Sequence, residues 1–434
     1  MAESGITSFA QGLCLLIRLS SISGDVLLQT KRTQLELCQL GCFSNVNALI
    51  DQNEDNPQDI DVFFTVEELP LSGYKYSLET GDDEELLKFG LSMPNLTGAG
   101  EKIESQFKIG TNGSQSWNLN YCWPLRSSLL WNQFTDGCRS NLSASVYGHS
   151  GFISRAGLKS ISPFGLNLTA EISPKPYIVQ LLQWDCSWRY LRPIDNHTAS
   201  FATRSCSGHS LKSSLVNQVT INTLDDKVLP TKGIRLQLGQ ELAGLGIGNV
   251  AFLSTSANAA LFHPISERVV FGGNFHLGHM LPINVKDNFE SNCNNPVDKY
   301  SPKIRGFASH RVGPRESDGK TYLGSNTFWK MSLHLISAKM PFLRGSSWLV
   351  ENVRGHAFAE VFSSENSTDS LVKWLITEPS KILDKSRCSF GVGLLARLGN
   401  SGQAELNYCF PLRWNQSDTT NHGLQFSLNA TLLE

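Results

Sequence analysis

The sequence predicts an all-β chain that crosses a membrane as a barrel of about sixteen antiparallel strands, preceded by a small α+β unit. Three observations carry that expectation. Long segments alternate strictly between apolar and polar residues, which places every apolar side chain on one face of a sheet. These segments last about nine to eleven residues, the length a tilted strand needs to cross a bilayer, whereas strands of soluble domains average about five or six. Finally, the 434-residue chain has no stretch near the ~18 uninterrupted apolar residues of a spanning helix.

Taken in order, the first apolar run is Gly12–Leu19, too short to span and interrupted by Arg18. It is also a poor secretory signal, because Glu3 stands where a basic residue is expected. Gln29–Leu40 mixes polar and apolar residues and predicts a short helix. Cys42–Asp51 and Asp59–Leu69 predict two strands, joined by an acidic Asn/Asp/Pro loop that reads as a solvated turn. Residues 1–70 are therefore expected to form one small domain and residues 71–434 the barrel.

From Tyr74 the period changes to two. Ile103, Ser105, Phe107 and Ile109 oppose Lys102, Glu104, Gln106 and Lys108, and Trp117, Leu119, Tyr121 and Trp123 oppose Ser116, Asn118, Asn120 and Cys122. Near the end, Ala404, Leu406, Tyr408 and Phe410 face away from Gln403, Glu405 and Asn407; Leu424, Phe426, Leu428, Ala430 and Leu432 face away from Gln425, Ser427, Asn429 and Thr431. At about 22 residues per strand and connection, Tyr74–Glu434 holds about sixteen strands, an even number. The last strand then closes the sheet with almost no tail. A soluble β-sandwich also produces alternation, but sixteen long strands exceed the usual sheet size. Residues 140–205, with Pro163, Pro174, Pro176 and Pro193, have no legible strand boundaries.

Composition narrows the function. Charged residues make up 18% of the chain and the net charge is −2, so there is no basic field for nucleic acid. The ten cysteines include no Cys-x-x-Cys pair, which disfavours zinc and a disulfide framework alike. Eight Asn-x-Ser/Thr sequons occur, several inside expected strands, and read as accidents of a Ser- and Asn-rich chain. His276 and His279 would point to opposite faces of a strand and share no metal. Gly244–Gly248 lacks the context of a nucleotide loop and predicts a flexible turn, and no Gly-x-Ser-x-Gly elbow exists. The expectation is no enzyme, no cofactor, no metal and no nucleotide.

Two segments are more specific. Lys303-Ile-Arg-Gly-Phe307 lies in a long loop with Ser309–Pro314, Gly319 and Gly324. An always-charged Arg305 beside Gly306 and Phe307 suits a loop folded into a polar lumen, where the guanidinium meets a carboxylate on the wall. An ordinary loop that happens to spell these residues is the alternative. The terminal segment Asn421–Leu428 reads as a lipid-facing strand with a small residue near its start, or simply as the last strand.

At these residues the chain resembles a known family. Ile304-Arg305-Gly306-Phe307 resembles the signature of the long sixth loop of the bacterial BamA superfamily, and Gly233–Gly244 after Leu229-Pro230 resembles its mid-barrel strand. Ser207–Leu215, Glu405–Cys409 and Gly41–Asp51 resemble the animal barrel subunits of the mitochondrial sorting and assembly machinery. The resemblance covers nearly the whole chain. It implies an integral barrel of the mitochondrial outer membrane with one amino-terminal POTRA domain facing the intermembrane space, here truncated or altered. It further implies that Asn421, Gly423, Phe426 and Leu428 form a β-signal, and that the first strand, with Tyr74, Tyr76 and Leu78, meets the last at a lateral gate. Partners would be the lipid bilayer, precursor β-barrel proteins and peripheral subunits of the machinery; the activity would be folding and inserting those precursors. Two departures stand out. Asn294–Asp298 replaces the usual Gly-Gly before the Arg-Gly-Phe signature, and Phe358-Ala-Glu-Val-Phe362 replaces a Phe-x-Asp-x-Gly pattern, so Glu360 becomes the expected partner of Arg305. A passive porin-type channel is the competing reading. It explains the barrel but not the loop or the amino-terminal unit. A secreted, glycosylated β protein is a third.

Overall fold

The computed structural model describes residues 23–52, 60–80, 84–125, 139–195, 197, 199–283, 297–316, 321–337, 352–366, 385–398 and 402–430. Gly12–Leu19, the acidic loop at 53–59, Asn294–Pro296, Gly319 and Leu432 lie outside them.

The amino-terminal unit is helix α1 (Ser23–Gln39) followed by strands β1 (Phe43–Gln52) and β2 (Ile60–Glu68), in the order the sequence predicts; the strands keep their expected bounds to within a residue, whereas the helix starts well before the expected Gln29. β1 and β2 form an isolated antiparallel pair. Leu37, Cys42 and Val46 are buried in this unit. Gln34 of the helix donates to the Val46 carbonyl at 2.7 Å. Burial raises the Cys42 thiol to about 11, so it is a packing group, not a nucleophile.

A single 16-stranded sheet follows: β3 (Gly73–Thr80), β4 (Glu85–Pro94), β5 (Lys102–Gly110), β6 (Gln115–Leu125), β7 (Arg139–Ile153), β8 (Leu158–Lys175), β9 (Ile178–Pro193), β10 (Gly208–Asn222), β11 (Gly233–Ala243), β12 (Phe252–Ser266), β13 (Val269–Pro282), β14 (Thr327–Ser337), β15 (Val353–Glu365), β16 (Arg387–Leu398), β17 (Gly402–Arg413) and β18 (Gly423–Ala430). Each strand pairs antiparallel with its sequence neighbours, an up-and-down meander. A short helix α2 (Phe201–Ser205) lies between β9 and β10. Among the described residues no helix is long and apolar enough to cross a membrane.

The structure resolves the stretch the sequence left illegible. β7, β8, β9 and β10 run to 15, 18, 16 and 15 residues, longer than the nine to eleven expected. Proline explains why their pattern was hard to read. It cannot donate to a ladder, so it settles at irregularities. The register between β8 and β9 slips between Ile161 and Phe164, around Pro163, and again between Ile172 and Lys175, around Pro174. Each slip shifts the side-chain phase and breaks the period-2 signal.

Burial is inverted relative to a soluble protein. Trp117, Leu119, Tyr121 and Trp123 of β6 are exposed on the outer face, as are Phe390, Val392 and Leu394 of β16 and Leu406, Tyr408 and Phe410 of β17. The opposite faces of the carboxy-terminal strands bury Ser332, His334, His356, Glu360, Glu405 and Asn407 inside the barrel. Apolar outside and polar inside is the arrangement of a strand wall between lipid and a lumen. The two ends of the sheet, β3 and β18, approach with Cα atoms within 8 Å, yet no hydrogen-bonded ladder joins them among the described residues.

Candidate functional site: the lumen loop and its clamp

The loop between β13 and β14 carries Ile304–Phe307. Its root is tied to the wall. Asp298 accepts both Arg189 Nη1 contacts, at 2.8 and 3.1 Å, from β9, and Tyr300 and Ser325 exchange backbone hydrogen bonds of 3.0 and 2.9 Å across the loop. The chain then enters the lumen. Gly306 adopts φ +85°, where a side chain would be strained, and a Cβ there would sit 3.2 Å from the Ser389 Cβ. The backbone thus requires glycine, and the space beside it is tight.

Turned this way, Arg305 sits between two wall carboxylates. Its Nη1 donates to Glu360 Oε1 at 2.6 Å and its own amide to Glu360 Oε2 at 2.9 Å. Its Nη2 donates to Glu405 Oε2 at 2.7 Å and its Nε to the same oxygen at 3.3 Å. The guanidinium also lies 5.1 Å from the Phe358 ring centroid. Burial by itself would lower the Arg305 pKa, but the Glu360 and Glu405 carboxylates outweigh it and raise it further. Lys330 reaches Glu360 Oε1 at 3.2 Å and Ser332 Oγ donates to it at 3.1 Å, so the fully buried Glu360 is saturated. Glu405 in turn accepts Asn407 Nδ2 at 3.1 Å.

Residues next to the arginine pack and pair. Ile304 and Phe307 are buried against Phe328 and Phe362. The two departures in the Phe358–Phe362 segment are thereby accounted for: Glu360 takes the arginine, and the bulky Phe362, 1% exposed, becomes the floor beneath Phe307. The tip docks along the turn between β17 and β18. The Ala308 amide donates to Thr419 O at 2.9 Å, Thr419 to Arg311 O at 3.1 Å, and Asn421 to Gly306 O at 2.9 Å. The Gln425 carboxamide accepts the Gly306 amide at 2.9 Å. A second buried pair holds this turn. Arg387 Nε donates to Asp418 Oδ2 at 2.9 Å, and Asp418 Oδ1 also accepts the Gly313 amide at 3.1 Å.

The structure therefore brings Ile304, Arg305, Gly306, Phe307 and Glu360 together and adds Asn421, whose amide meets Gly306. Gly423 opens β18 at φ +104°. Phe426 points outward and Leu428 shares its face, two positions along the strand. Tyr74 and Tyr76 are exposed on β3, while Leu78 pairs through its backbone with Leu87 of β4. Sequence reading missed Glu405, Gln425 and the Arg387–Asp418 pair. The alternation already placed Glu405 and Gln425 on the polar face of their strands, and a lone carboxylate on a lumen face was the usable signal. His279 Nδ1 lies 2.8 Å from Thr327 Oγ1, and no group of three or more His, Cys, Asp or Glu side chains able to hold a metal occurs among the described residues. Gly244–Gly248 is the turn between β11 and β12.

A sixteen-stranded meander with a long lumen loop clamped by an arginine defines a class of outer-membrane-type barrels. Residues 95–432 match the model of the Omp85 superfamily domain. The human sorting and assembly machinery component 50 homolog is 31% identical over 94% of this chain and 84% of its own length. The Drosophila melanogaster SAM50-like protein is 26% identical over 93% of this chain. The crystal structure of BamA from Haemophilus ducreyi lacking POTRA domains 1–3 superposes with a TM-score of 0.71 at 17% identity, covering 92% of this chain and 78% of that one. The chain belongs to the Omp85 superfamily, among the homologues of sorting and assembly machinery component 50.

Proposed function

We propose that this protein is the barrel subunit of a sorting and assembly machinery of the mitochondrial outer membrane, folding and inserting β-barrel precursors through the seam between β3 and β18. The observation that supports the reading best is that seam. A closed barrel has no free edge, whereas here two terminal strands lie side by side with no ladder joining them among the described residues. Parting them exposes two rows of N–H and C=O groups to a client strand entering by β-augmentation. The client's backbone groups then stay hydrogen-bonded while they enter lipid, where each unsatisfied group costs several kcal/mol. Asn421, Gly423, Phe426 and Leu428 form the segment a client signal would mimic. Displacing β18 would not leave the lumen empty, because the loop around Arg305 stays held by Glu360 and Glu405.

In this reading the helix and hairpin of residues 23–68 are a reduced POTRA-like domain facing the intermembrane space, and peripheral subunits complete the machinery. A passive channel is disfavoured by the clamped loop across the lumen. The test is a seam locked by a disulfide. One cysteine replaces Tyr74 or Tyr76 on β3 and the other Leu424 or Phe426 on β18; Gln425 is avoided because it holds Gly306. The oxidised pair is expected to stop insertion of an imported barrel precursor, and reduction to restore it. Full insertion by the locked form would refute lateral opening.

A further inference from the structure

In an up-and-down meander that begins with β3, the odd-numbered strands run away from the amino-terminal unit. β7 and β9 therefore end, and β8 and β10 begin, at the far rim of the barrel. β8 and β9 have 18 and 16 residues, where about nine to eleven suffice to cross a bilayer, so their ends reach past the hydrocarbon. Aromatic side chains mark the level at which this happens. Trp188, exposed on the outer face of β9, and Tyr190 flank His209 of β10, with ring centroids 5.6 and 4.5 Å from it. Trp and Tyr settle at the depth of the lipid headgroups.

Just beyond these rings the wall carries two cations side by side. Phe152 of β7, Lys159 of β8 and Arg192 of β9 lie in direct register, so all three share one face of the sheet. That face is the outer one. Phe152 follows Gly148 by four residues, and Gly148 pairs with the outward Trp117; Arg192 likewise follows Trp188 by four. The Lys159 ammonium lies 5.1 Å from the Phe152 ring centroid, and Arg192 is exposed. Residues directly opposite on neighbouring strands have Cβ atoms about 4.5–5.5 Å apart, and like charges there repel. No acid answers them. Over residues 150–160 and 188–209 the chain carries Arg155, Lys159, Arg189, Arg192 and Arg204 against the single carboxylate of Asp195, which accepts the His197 amide at 3.0 Å. Arg189 points inward and is matched by Asp298. Neither Lys159 nor Arg192 has an ion-pair or side-chain hydrogen-bond partner among the described residues.

We infer that the outer rim of β7–β9 binds the headgroup of an anionic phospholipid, its phosphate between Lys159 and Arg192 and an acyl chain along Ile161, Tyr190 and Trp188. Neighbouring cations at a cross-strand spacing grip one phosphate from both sides, and the arginine offers a fork of donors to its oxygens. Repulsion across the pair becomes shared attraction once that phosphate lies between them. The surface next to the charges favours a lipid over a free anion. Ile161 stands opposite Tyr190 one repeat inward, and Trp188 follows one repeat deeper, so charge gives way to apolar surface in the order of a phospholipid's own parts. The inference rests on the membrane-spanning wall and is independent of the insertase reading.

The test places the full chain in nanodiscs of phosphatidylglycerol and phosphatidylcholine in equal parts, and native mass spectrometry counts the lipids retained when the protein is released. Phosphatidylglycerol is expected to be retained about tenfold over phosphatidylcholine. K159Q/R192Q should lose most of that preference and K159R/R192K should keep it, which separates lost charge from a disturbed fold. Inorganic phosphate, added against chloride at matched ionic strength, should leave the preference in place. Equal retention of the two lipids, or an unchanged preference in K159Q/R192Q, would overturn the site. Loss of the preference in both double variants would trace it to packing and overturn the role of charge. A preference abolished by inorganic phosphate would reveal a site for the free anion and overturn the lipid occupant.

Discussion

Arg305 illustrates how little a residue needs locally to be decisive globally. Its partners lie 55 and 100 residues away, on the barrel wall and not in the loop itself. Arg305→Ala would leave Glu360, whose side chain is fully buried, and the nearly buried Glu405 without their shared cation. Removing one partner of a buried pair costs about 3–5 kcal/mol, since the remaining charge stays desolvated. The variant is expected to unfold at lower urea than wild type in reconstituted membranes and to assemble porin-like clients poorly. Arg305→Lys should fall between the two, because a lysine keeps the charge but not the fork that spans both carboxylates. Unimpaired client assembly by Arg305→Ala would remove the residue from the mechanism. The sequence made Arg305 and Glu360 candidates, the second only through family resemblance. Glu405 was legible as a lumen-facing acid but not as a partner, since strand alternation says which face a residue takes and not what stands opposite across the lumen.

At the scale of elements, the β10–β11 turn acts as a second plug opposite the long loop. Val228 and Leu229 are buried against Phe262, Val270, Ile336 and Leu395, side chains drawn from four strands. Asp226 ties the turn to Arg397 on β16. Burial would raise the Asp226 carboxyl, but the Val228 and Leu229 amides and the Arg397 guanidinium hold it below the usual range. Leu229, 2% exposed, is the anchor. Leu229→Ala is expected to cost about 2–4 kcal/mol and to loosen this end of the lumen. A heat-unfolding series would register the first effect and a raised single-channel conductance the second; unchanged conductance would show that the turn does not close the floor. Sequence reading took Leu229-Pro230 only as a family landmark. A turn that packs into its own barrel carries no period, and its apolar residues look like accidents until the opposite wall is known.

For the whole molecule, the barrel puts its apolar side chains outward and its charges inward, so stability depends on which solvent meets each face. Leu406, near the middle of β17, faces outward beside the lumen-facing Glu405. Leu406→Arg should cost about 2–4 kcal/mol when the protein folds into liposomes, because the charge meets hydrocarbon near the midplane. Gln403→Arg, on the lumen face of the same strand, should be tolerated. Equal penalties at the two positions would contradict the assignment of faces. The sheet itself was legible almost entirely: the helix–strand–strand order at the amino terminus, the even number of strands, and the alternation in the β6, β17 and β18 segments all follow from local pattern. The long, proline-interrupted β7–β9 segment was not, because bulges reset the phase on which the reading depends.

The sequence by itself determined the wall. Strand period and length are local properties, written within ten or so residues, and a meander needs only that each strand pair with the next. The tertiary structure alone decided what the wall encloses: the three-residue clamp of Arg305, Glu360 and Glu405, the docking of the loop tip on Asn421 and Gln425, the Leu229 turn packed into the opposite end, and a seam that carries no ladder among the described residues. Each of these depends on which residues face one another across a closed lumen. That distance is fixed by closure of the whole sheet, and no local pattern encodes it.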